Sequence, residues 1–390
     1  MSLDDHSLIT PGISRRDFLR VSGGAAAALA VFSVPGLVRA DMPAVRAAGP
    51  ISLEECMALT PLAMAERSGL VKNSFDYLVR TAGLIADSKI RRSVLEILQN
   101  PAPTIMALYT ETGERESVRA RLIAAGYIKP DVAVDTLLPP CRNPEQAPQP
   151  FYSAPGSGYM SHHSYPGGLA THVAVNVKAS LGFYEAYADV YGYHLNKDIV
   201  IAAQTLHDLN KPWVFQWRED ASSLPEQTIA GTGAHHILSI AEAVYRDLPA
   251  ELTVAMACAH NHPGTPEDEA QVVNWIKAAC ILADKDPEVI GMLAQGGETL
   301  PLPRRQEGFI THLGDHDFVL TVPAAKWLIG KLKEMAKSAY GMTEADLNNK
   351  KFNSFRNYVF SQVSIKRLHQ IWSTGGEQAL LEAVKSAVVR

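Results

Sequence analysis

The pair His207-Asp208, inside Thr205-Leu-His-Asp-Leu-Asn-Lys-Pro212, sets an imidazole and a carboxylate side by side at the end of an apolar run. Both can bind one metal ion, and the carboxylate keeps a second oxygen for another. His172, His236, His260 and Asp284 flank the pair at long range, and nine of the thirteen histidines (162, 163, 172, 194, 207, 235, 236, 260 and 262) fall in one stretch of the chain. A lone histidine is more often a hydrogen-bonded core or surface residue, but a His-Asp pair with spaced partners points to a site for one or two ions. Imidazole and carboxylate together suit Mn, Fe, Ni, Co or Zn, whereas Mg or Ca leans towards oxygen ligands alone.

Such ions bring the pKa of water towards ~7, and a pair ~3.5 to 4 Å apart can stabilise both the entering and the leaving oxygen of a phosphoryl displacement. Lys211, three residues past Asp208, is expected to meet a phosphate oxygen or a ligand carboxylate; the plainer reading is a solvated partner of a helix C-terminus. His162 and His163 precede a Pro-Gly-Gly turn whose glycines permit close backbone approach. They are expected to touch substrate or donate a proton, with His163 the catalytic candidate beside Asp208 and Lys211; otherwise they are solvated loop histidines.

The stretches His163-Ser-Tyr-Pro-Gly-Gly-Leu-Ala-Thr-His172, Leu206-His-Asp-Leu-Asn-Lys211, Gly233-Ala-His-His-Ile-Leu-Ser239, Ala259-His-Asn-His-Pro-Gly264 and Ala283-Asp284 together resemble, in order, the motifs of the HD-domain metal-dependent phosphohydrolase superfamily. The resemblance covers residues 155 to 295. It implies that His172, His207, Asp208 and Asp284 hold one ion. In a dinuclear site, Asp208 would bridge to a second ion held by His236 and His260. His235 is the alternative to His236, which is preferred because Ala241-Glu242 follows at the family's usual offset, and His262 is the alternative to His260. The function implied is hydrolysis of a small phosphate ester, such as a nucleotide, cyclic nucleotide or phosphodiester. A dinuclear iron oxygenase, a known departure within the same superfamily, is the second reading, and a non-catalytic module in which the ligands only hold the fold is the third. The intact ligand set argues against the third.

Ser14-Arg-Arg-Asp-Phe-Leu-Arg20 resembles the twin-arginine export motif, ahead of a weakly apolar Gly- and Ala-rich run from Val21 to Leu37. Val38-Arg39-Ala40 offers small residues for signal peptidase, so a mature chain beginning near Asp41 is expected, exported by the twin-arginine translocase to the periplasm or beyond. The glycines, serine and proline of the run make it too short and too polar for a stable membrane span. Removing residues 1–40 leaves 32 basic against 38 acidic residues. A mildly acidic chain without a basic tract is a poor binder of nucleic-acid polymers, which favours a small phosphorylated substrate.

The elements that must position these residues read as helices. Ser52-Leu-Glu-Glu55 is a capping-box pattern, and Phe75–Ala86, Ile90–Gln99 and Glu114–Ala125 form an N-terminal helical region over 41–129. Prolines between 130 and 155 suggest an extended linker on the surface. The metal-bearing region, 156–295, supplies helices near Leu169–Tyr191, Asp198–Lys211, Ala234–Arg246, Glu251–Ala259 and Gln271–Ala283. Ligands from five segments converge only if these helices pack as a bundle, so the expected fold is all-α, with a helical extension over 296–390. In that extension Ile310–Val322 reads as a short hairpin, followed by helices at Ala324–Tyr340, Phe352–Val363 and Glu377–Val389. Thr311-His-Leu-Gly-Asp-His-Asp317 could pass for a second metal loop, but its ligands cluster locally without spaced partners, and it reads as a turn with solvated acids. Trp213, Phe215 and Trp217 read as core or strand residues, with a pocket wall that stacks on a base as the alternative. An oxidising compartment permits a Cys56–Cys141 bridge, while Cys258 and Cys280 read as buried thiols.

Overall fold

The computed structural model describes residues 49–302 and 306–390; the signal segment and its cleavage region lie outside the described residues. Apolar residues at three- and four-residue steps produce helix after helix. In chain order these are Leu53–Ala58 (α1), Pro61–Arg67 (α2), Gly69–Ala82 (α3), Ser88–Gln99 (α4), Thr112–Ala124 (α5), Val134–Leu137 (α6), Gly168–Tyr191 (α7), Lys197–Leu206 (α8), Lys211–Val214 (α9), Ala234–Tyr245 (α10), Ala250–Ala257 (α11), Pro266–Ala283 (α12), Glu307–Gly314 (α13), Phe318–Ser338 (α14), Lys350–Val363 (α15) and Ile365–Lys385 (α16). The strands are two-residue pieces. Ile51–Ser52 (β1) pairs in parallel with Val388–Val389 (β4), and Thr228–Ile229 (β2) pairs antiparallel with Thr232–Gly233 (β3). The fold is all-α.

Side-chain caps start several of the helices. Ser52 Oγ accepts from Glu55 N at 3.0 Å, but the Glu55 carboxylate takes Arg67 at 2.5 Å instead of reaching back, so only half of the expected capping box forms. Asp87 and Asn196 cap α4 and α8 in the same way. Apolar cores result, two of them extensive. One gathers Leu122, Trp213, Ile237, Trp275 and Leu282 around α10 and α12, and the other gathers Met64, Leu328, Phe352, Phe355 and Leu368 around α14 to α16. Each such side chain contributes ~1.5–3 kcal/mol by leaving water.

Helix α7 carries His172, Asn176 and Ser180 at four-residue steps, which puts all three on one face. That buried polar row meets Gln204 of α8, where Ser180 Oγ donates to Oε1 at 2.8 Å, and the segment after α13. Gly314 closes α13 at the same place, and a Cβ there would come within 2.0 Å of Ser180 Oγ, so only glycine admits so close an approach.

Three expectations need correction. The run Asp198–Lys211 is not one helix, because α8 ends at Leu206 and a turn over 207–210 precedes α9. The Ile310–Val322 hairpin is instead the end of α13 and the start of α14, since its β-branched residues occupy helical faces whose buried members are Ile310, Thr311 and Thr321. The Pro-rich stretch runs largely at the surface over 130–150 and is pinned to the body by the buried Leu137, Leu138 and Phe151 and by Gln149 Nε2, which donates to the Pro212 and Phe215 carbonyls. Cys56 and Cys141 are free, and the buried Cys56 thiol donates to the Ser354 carbonyl.

Candidate metal centre

Three elements deliver the centre of the site. His172 lies just inside α7, whose entry is the Pro-Gly-Gly turn; Gly167 has φ +86°, and a Cβ there would strike Val71 at 2.2 Å. His207 caps the end of α8, and Asp208 follows in the turn, which Asn210 anchors by donating to the Leu238 carbonyl of α10 at 2.8 Å. Asp315 caps the end of α13. All four side chains are buried.

Their donor atoms converge. His172 Nε2 is 3.3 Å from Asp208 Oδ2 and 3.2 Å from Asp315 Oδ1, while His207 Nε2 is 3.2 Å and 3.4 Å from the same two oxygens. His207 Nδ1 donates to the Gln204 carbonyl at 2.9 Å, which fixes the ring orientation with Nε2 facing the carboxylates. Asn176 Nδ2 donates to Asp315 Oδ1 at 2.7 Å and orients that carboxylate from α7. On the other side of Asp208, His235 Nε2 lies 3.8 Å from Oδ1, and His260 Nε2 lies 3.9 Å from Asp315 Oδ2. Glu226 Oε2 accepts from His235 Nδ1 at 2.6 Å and from its backbone N–H at 3.1 Å, and Thr232 Oγ1 contacts His260 Nδ1 at 3.2 Å. His207, His235 and His260 are thus each held through the ring nitrogen that faces away from the acids.

A divalent ion fits these residues. His172, His207 and Asp208 offer donor atoms within 4.8 Å of one another, as do Asp208, His235 and His260. Asp208 Oδ1 accepts no hydrogen bond and His207 Nε2 makes none, although both atoms are buried. Lys211 Nζ is 2.5 Å from Asp208 Oδ2 as an ion-pair contact and donates to the Gly156 carbonyl at 2.6 Å. Buried groups left without partners are costly unless a cation takes them up.

Charge follows the same geometry. Burial opposes the charged form of His207, yet the Asp208 and Asp315 carboxylates push it up to about 10. Burial is the largest influence on both acids and raises them, but His207 and His172, joined at Asp208 by Lys211, together outweigh it, and both stay well below the usual carboxylate range. His260 is pulled down to about 3 by burial and by His235, and His162 down to about 2 by burial, His163 and His172. These two imidazoles are therefore neutral at pH 7, as metal or hydrogen-bond acceptors must be.

Above the centre opens a cavity of about 510 Å³, lined by Ser157, Tyr159, His162, Lys211, Phe215, Glu226, His235, His260, His312, Asp315 and Phe318, among others. Lys211 sits where the sequence placed it. Phe215 touches the cavity while Trp213 is wholly core, and Trp217 donates through Nε1 to the Ser153 carbonyl.

Four sequence assignments do not fall here. Asp284 caps α12 with φ +53°, is 71% exposed and pairs with Arg121 at 2.8 Å, whereas Asp315 lies beside His172 and His207. His236 points away from the acids, stacks on His260 at 4.1 Å between ring centroids and donates from Nε2 to the Ala257 carbonyl, so His235 stands in its place. His163 is buried behind the cavity, bound through Nε2 to Asp317 at 2.7 Å, and its neighbour His162 meets the cavity instead. Thr311–Asp317 is no solvated turn, for Asp315 and Asp317 are both drawn inward. His262, the alternative to His260, stacks on Phe309 away from these groups. Glu226 was missed: its spacing of nine residues from His235 carries no periodic signal, since it depends on the β2–β3 turn between them.

Comparison with known proteins bears on both ends of this reading. Residues 12–32 match the TAT (twin-arginine translocation) pathway signal sequence, so the chain carries a signal for export by that route. Among the described residues, no helix is long and apolar enough to cross a membrane. The chain is similar to the dihydroneopterin 2',3'-cyclic phosphate phosphodiesterase of Methanocaldococcus jannaschii, with 27% identity over 205 residues that span 52% of this chain and 67% of that one. No solved structure matches the chain.

Proposed function

We propose that this chain is an exported metal-dependent phosphodiesterase that hydrolyses a small phosphodiester, with a cyclic phosphate the preferred class. The convergence of His172, His207, Asp208 and Asp315, with a buried Asp208 Oδ1 that no protein donor satisfies, carries this reading. Those four residues would hold one divalent transition ion, and Asp208 with His235 and His260 would hold a second. When bound, such ions act as Lewis acids towards a phosphoryl oxygen and acidify water. The similarity to an enzyme acting on a 2',3'-cyclic phosphate supports the substrate class. A cavity of about 510 Å³ suits one small molecule.

The remaining roles belong to the chain's own groups. Lys211 balances the Asp208 charge and presents an ammonium to the cavity, where it can draw in an anionic phosphate. His162, its Nδ1 in contact with Ser161 Oγ at 3.0 Å, offers a neutral imidazole to a substrate oxygen. Glu226 keeps His235 in the tautomer whose Nε2 faces Asp208.

The test is metal content of the purified mature protein together with turnover of bis-p-nitrophenyl phosphate and of a nucleoside 2',3'-cyclic phosphate. Mn, Fe, Ni, Co or Zn should be present and both substrates cleaved, and Asp208→Ala should lose metal and turnover together. Unchanged metal content in Asp208→Ala overturns the proposal.

A further inference from the structure

Asp317 lies two residues beyond Asp315, in the short link between α13 and α14, and its side chain is 5% exposed. Three separate segments close on its carboxylate. His163 Nε2, from the loop that lines the cavity, is 2.7 Å from Oδ2; Thr321 Oγ1, in the first turn of α14, donates to the same oxygen at 2.8 Å; and Lys366 Nζ, at the start of α16, pairs with Oδ1. The two flanking segments are themselves held in unusual backbone. His163 has φ +52° and Ser364, two residues before Lys366, has φ +67°. His163 is locked further, since its carbonyl accepts from Gly156 N at 2.9 Å and a Cβ on Gly168 would collide with that carbonyl.

Nothing in the proposed chemistry uses Asp317, yet a carboxylate buried this deeply needs its cation, because an unpaired charge in such a place is strongly unfavourable. Lys366 is the ammonium that supplies it, and it comes from outside the stretch that holds the other site residues. The link from Asp315 to Asp317 leaves little slack: Asp315 N is bound to the Thr311 and His312 carbonyls, and Thr321 N to the Asp317 carbonyl. Fixing Asp317 therefore fixes where the Asp315 backbone sits relative to His172 and His207.

We propose that Lys366 is a positioning residue, which through Asp317 holds Asp315 at the metal centre and couples α16 to the cavity loop. The inference rests on the metal-centre reading above and adds to it a part of the chain beyond the metal-bearing stretch. Asp315 is a ligand only while that clamp is closed, so loss of the Lys366 charge appears first as weaker metal binding.

The experiment titrates Mn²⁺ into the metal-stripped, full mature protein by calorimetry, and follows bis-p-nitrophenyl phosphate turnover in the reloaded protein. Lys366→Met is expected to weaken Mn²⁺ binding ~10- to 100-fold, the scale seen when groups supporting a ligand are removed, and to lower kcat with little change in KM. Lys366→Arg, which keeps the cation, should recover most of that affinity. Thr321→Val keeps the side-chain shape, deletes one hydrogen bond to Asp317 and should weaken binding at least about threefold, so the clamp stays testable if Lys366→Met fails to fold. Wild-type Mn²⁺ affinity in a folded Lys366→Met or Thr321→Val protein overturns the clamp and leaves the metal centre standing. A wild-type protein that binds no Mn²⁺ and cleaves no phosphodiester overturns the metal-centre reading, and the clamp with it.

Discussion

Asp208 Oδ2 and Asp315 Oδ1 face the same two imidazole nitrogens: both oxygens lie 3.2 to 3.4 Å from His172 Nε2 and His207 Nε2, although Asp315 comes from beyond the ordered motifs. Two buried carboxylates this near to common partners repel unless positive charge lies between them. The chain supplies part of it through Lys211 and through His207, whose charged form the two carboxylates favour. A divalent ion would supply the rest.

Asp315→Ala should therefore cost ~10- to 100-fold in metal affinity and lower phosphodiester turnover with it. Asp284→Asn should leave both unchanged, because that side chain is exposed and pairs with Arg121 at the surface, and asparagine tolerates its left-handed backbone. Metal stoichiometry measured on both purified variants decides the matter. Loss of metal in Asp284→Asn alone would restore the assignment read from the sequence.

His235 and His236 are adjacent but do different work. His235→Ala should lower the metal content per chain, since Nε2 faces Asp208 and Glu226 holds the ring. His236→Ala should retain the metal and lose stability instead. It leaves the buried Ala257 carbonyl without its donor, at ~1–3 kcal/mol, and opens a gap beside His260 and Trp275. Urea unfolding midpoints set beside metal content separate the two outcomes, and metal loss confined to His236→Ala would return the ligand to that position.

The parts of this site that were legible in the sequence are those carried by local pattern. The His207-Asp208 pair, the Lys211 offset and the Pro-Gly-Gly entry to α7 are all short-range features, and each sits in the structure within one helix end or turn. Asp315 was hidden for the opposite reason. Its neighbours His312, His316 and Asp317 make a locally polar cluster that reads as solvated, and the β-branched residues around it suggested strands. The signal that could have exposed it is Gly308 and Gly314 in a short apolar segment: a Cβ at the first would meet Cys258 Sγ at 2.7 Å and at the second Ser180 Oγ at 2.0 Å, the mark of a helix pressed against two others. The choice between His235 and His236 could not be made from periodicity, because successive residues on a helix point about 100° apart and either can face inward until the packing of α10 against α12 is known.

Export rests on the adjacent arginines at the head of the Gly- and Ala-rich run, within the matched signal region. Replacing Arg15 and Arg16 by Lys should leave the uncleaved precursor in the cytoplasm. Cell fractionation with an antibody to the mature chain reads the result directly. Normal rates of processing and export in the double variant would show that another route carries the protein.

Hydrolysis and oxygenation make opposite demands on the same ligands. Displacement at phosphorus needs charge neutralisation and a polarised phosphoryl oxygen but no change in oxidation state, so it proceeds with redox-inert ions. A dinuclear iron oxygenase, the second reading of the His-Asp scaffold, needs iron and dioxygen. Lys211 at the cavity favours an anionic substrate and hence hydrolysis. Turnover of a nucleoside 2',3'-cyclic phosphate should therefore persist under strict anaerobiosis, and Mn or Co should restore it to the metal-stripped protein within about tenfold of the best metal. An oxygen electrode run in parallel should register no consumption. Dioxygen uptake that tracks substrate loss, seen only with iron, would assign the site to oxygen chemistry.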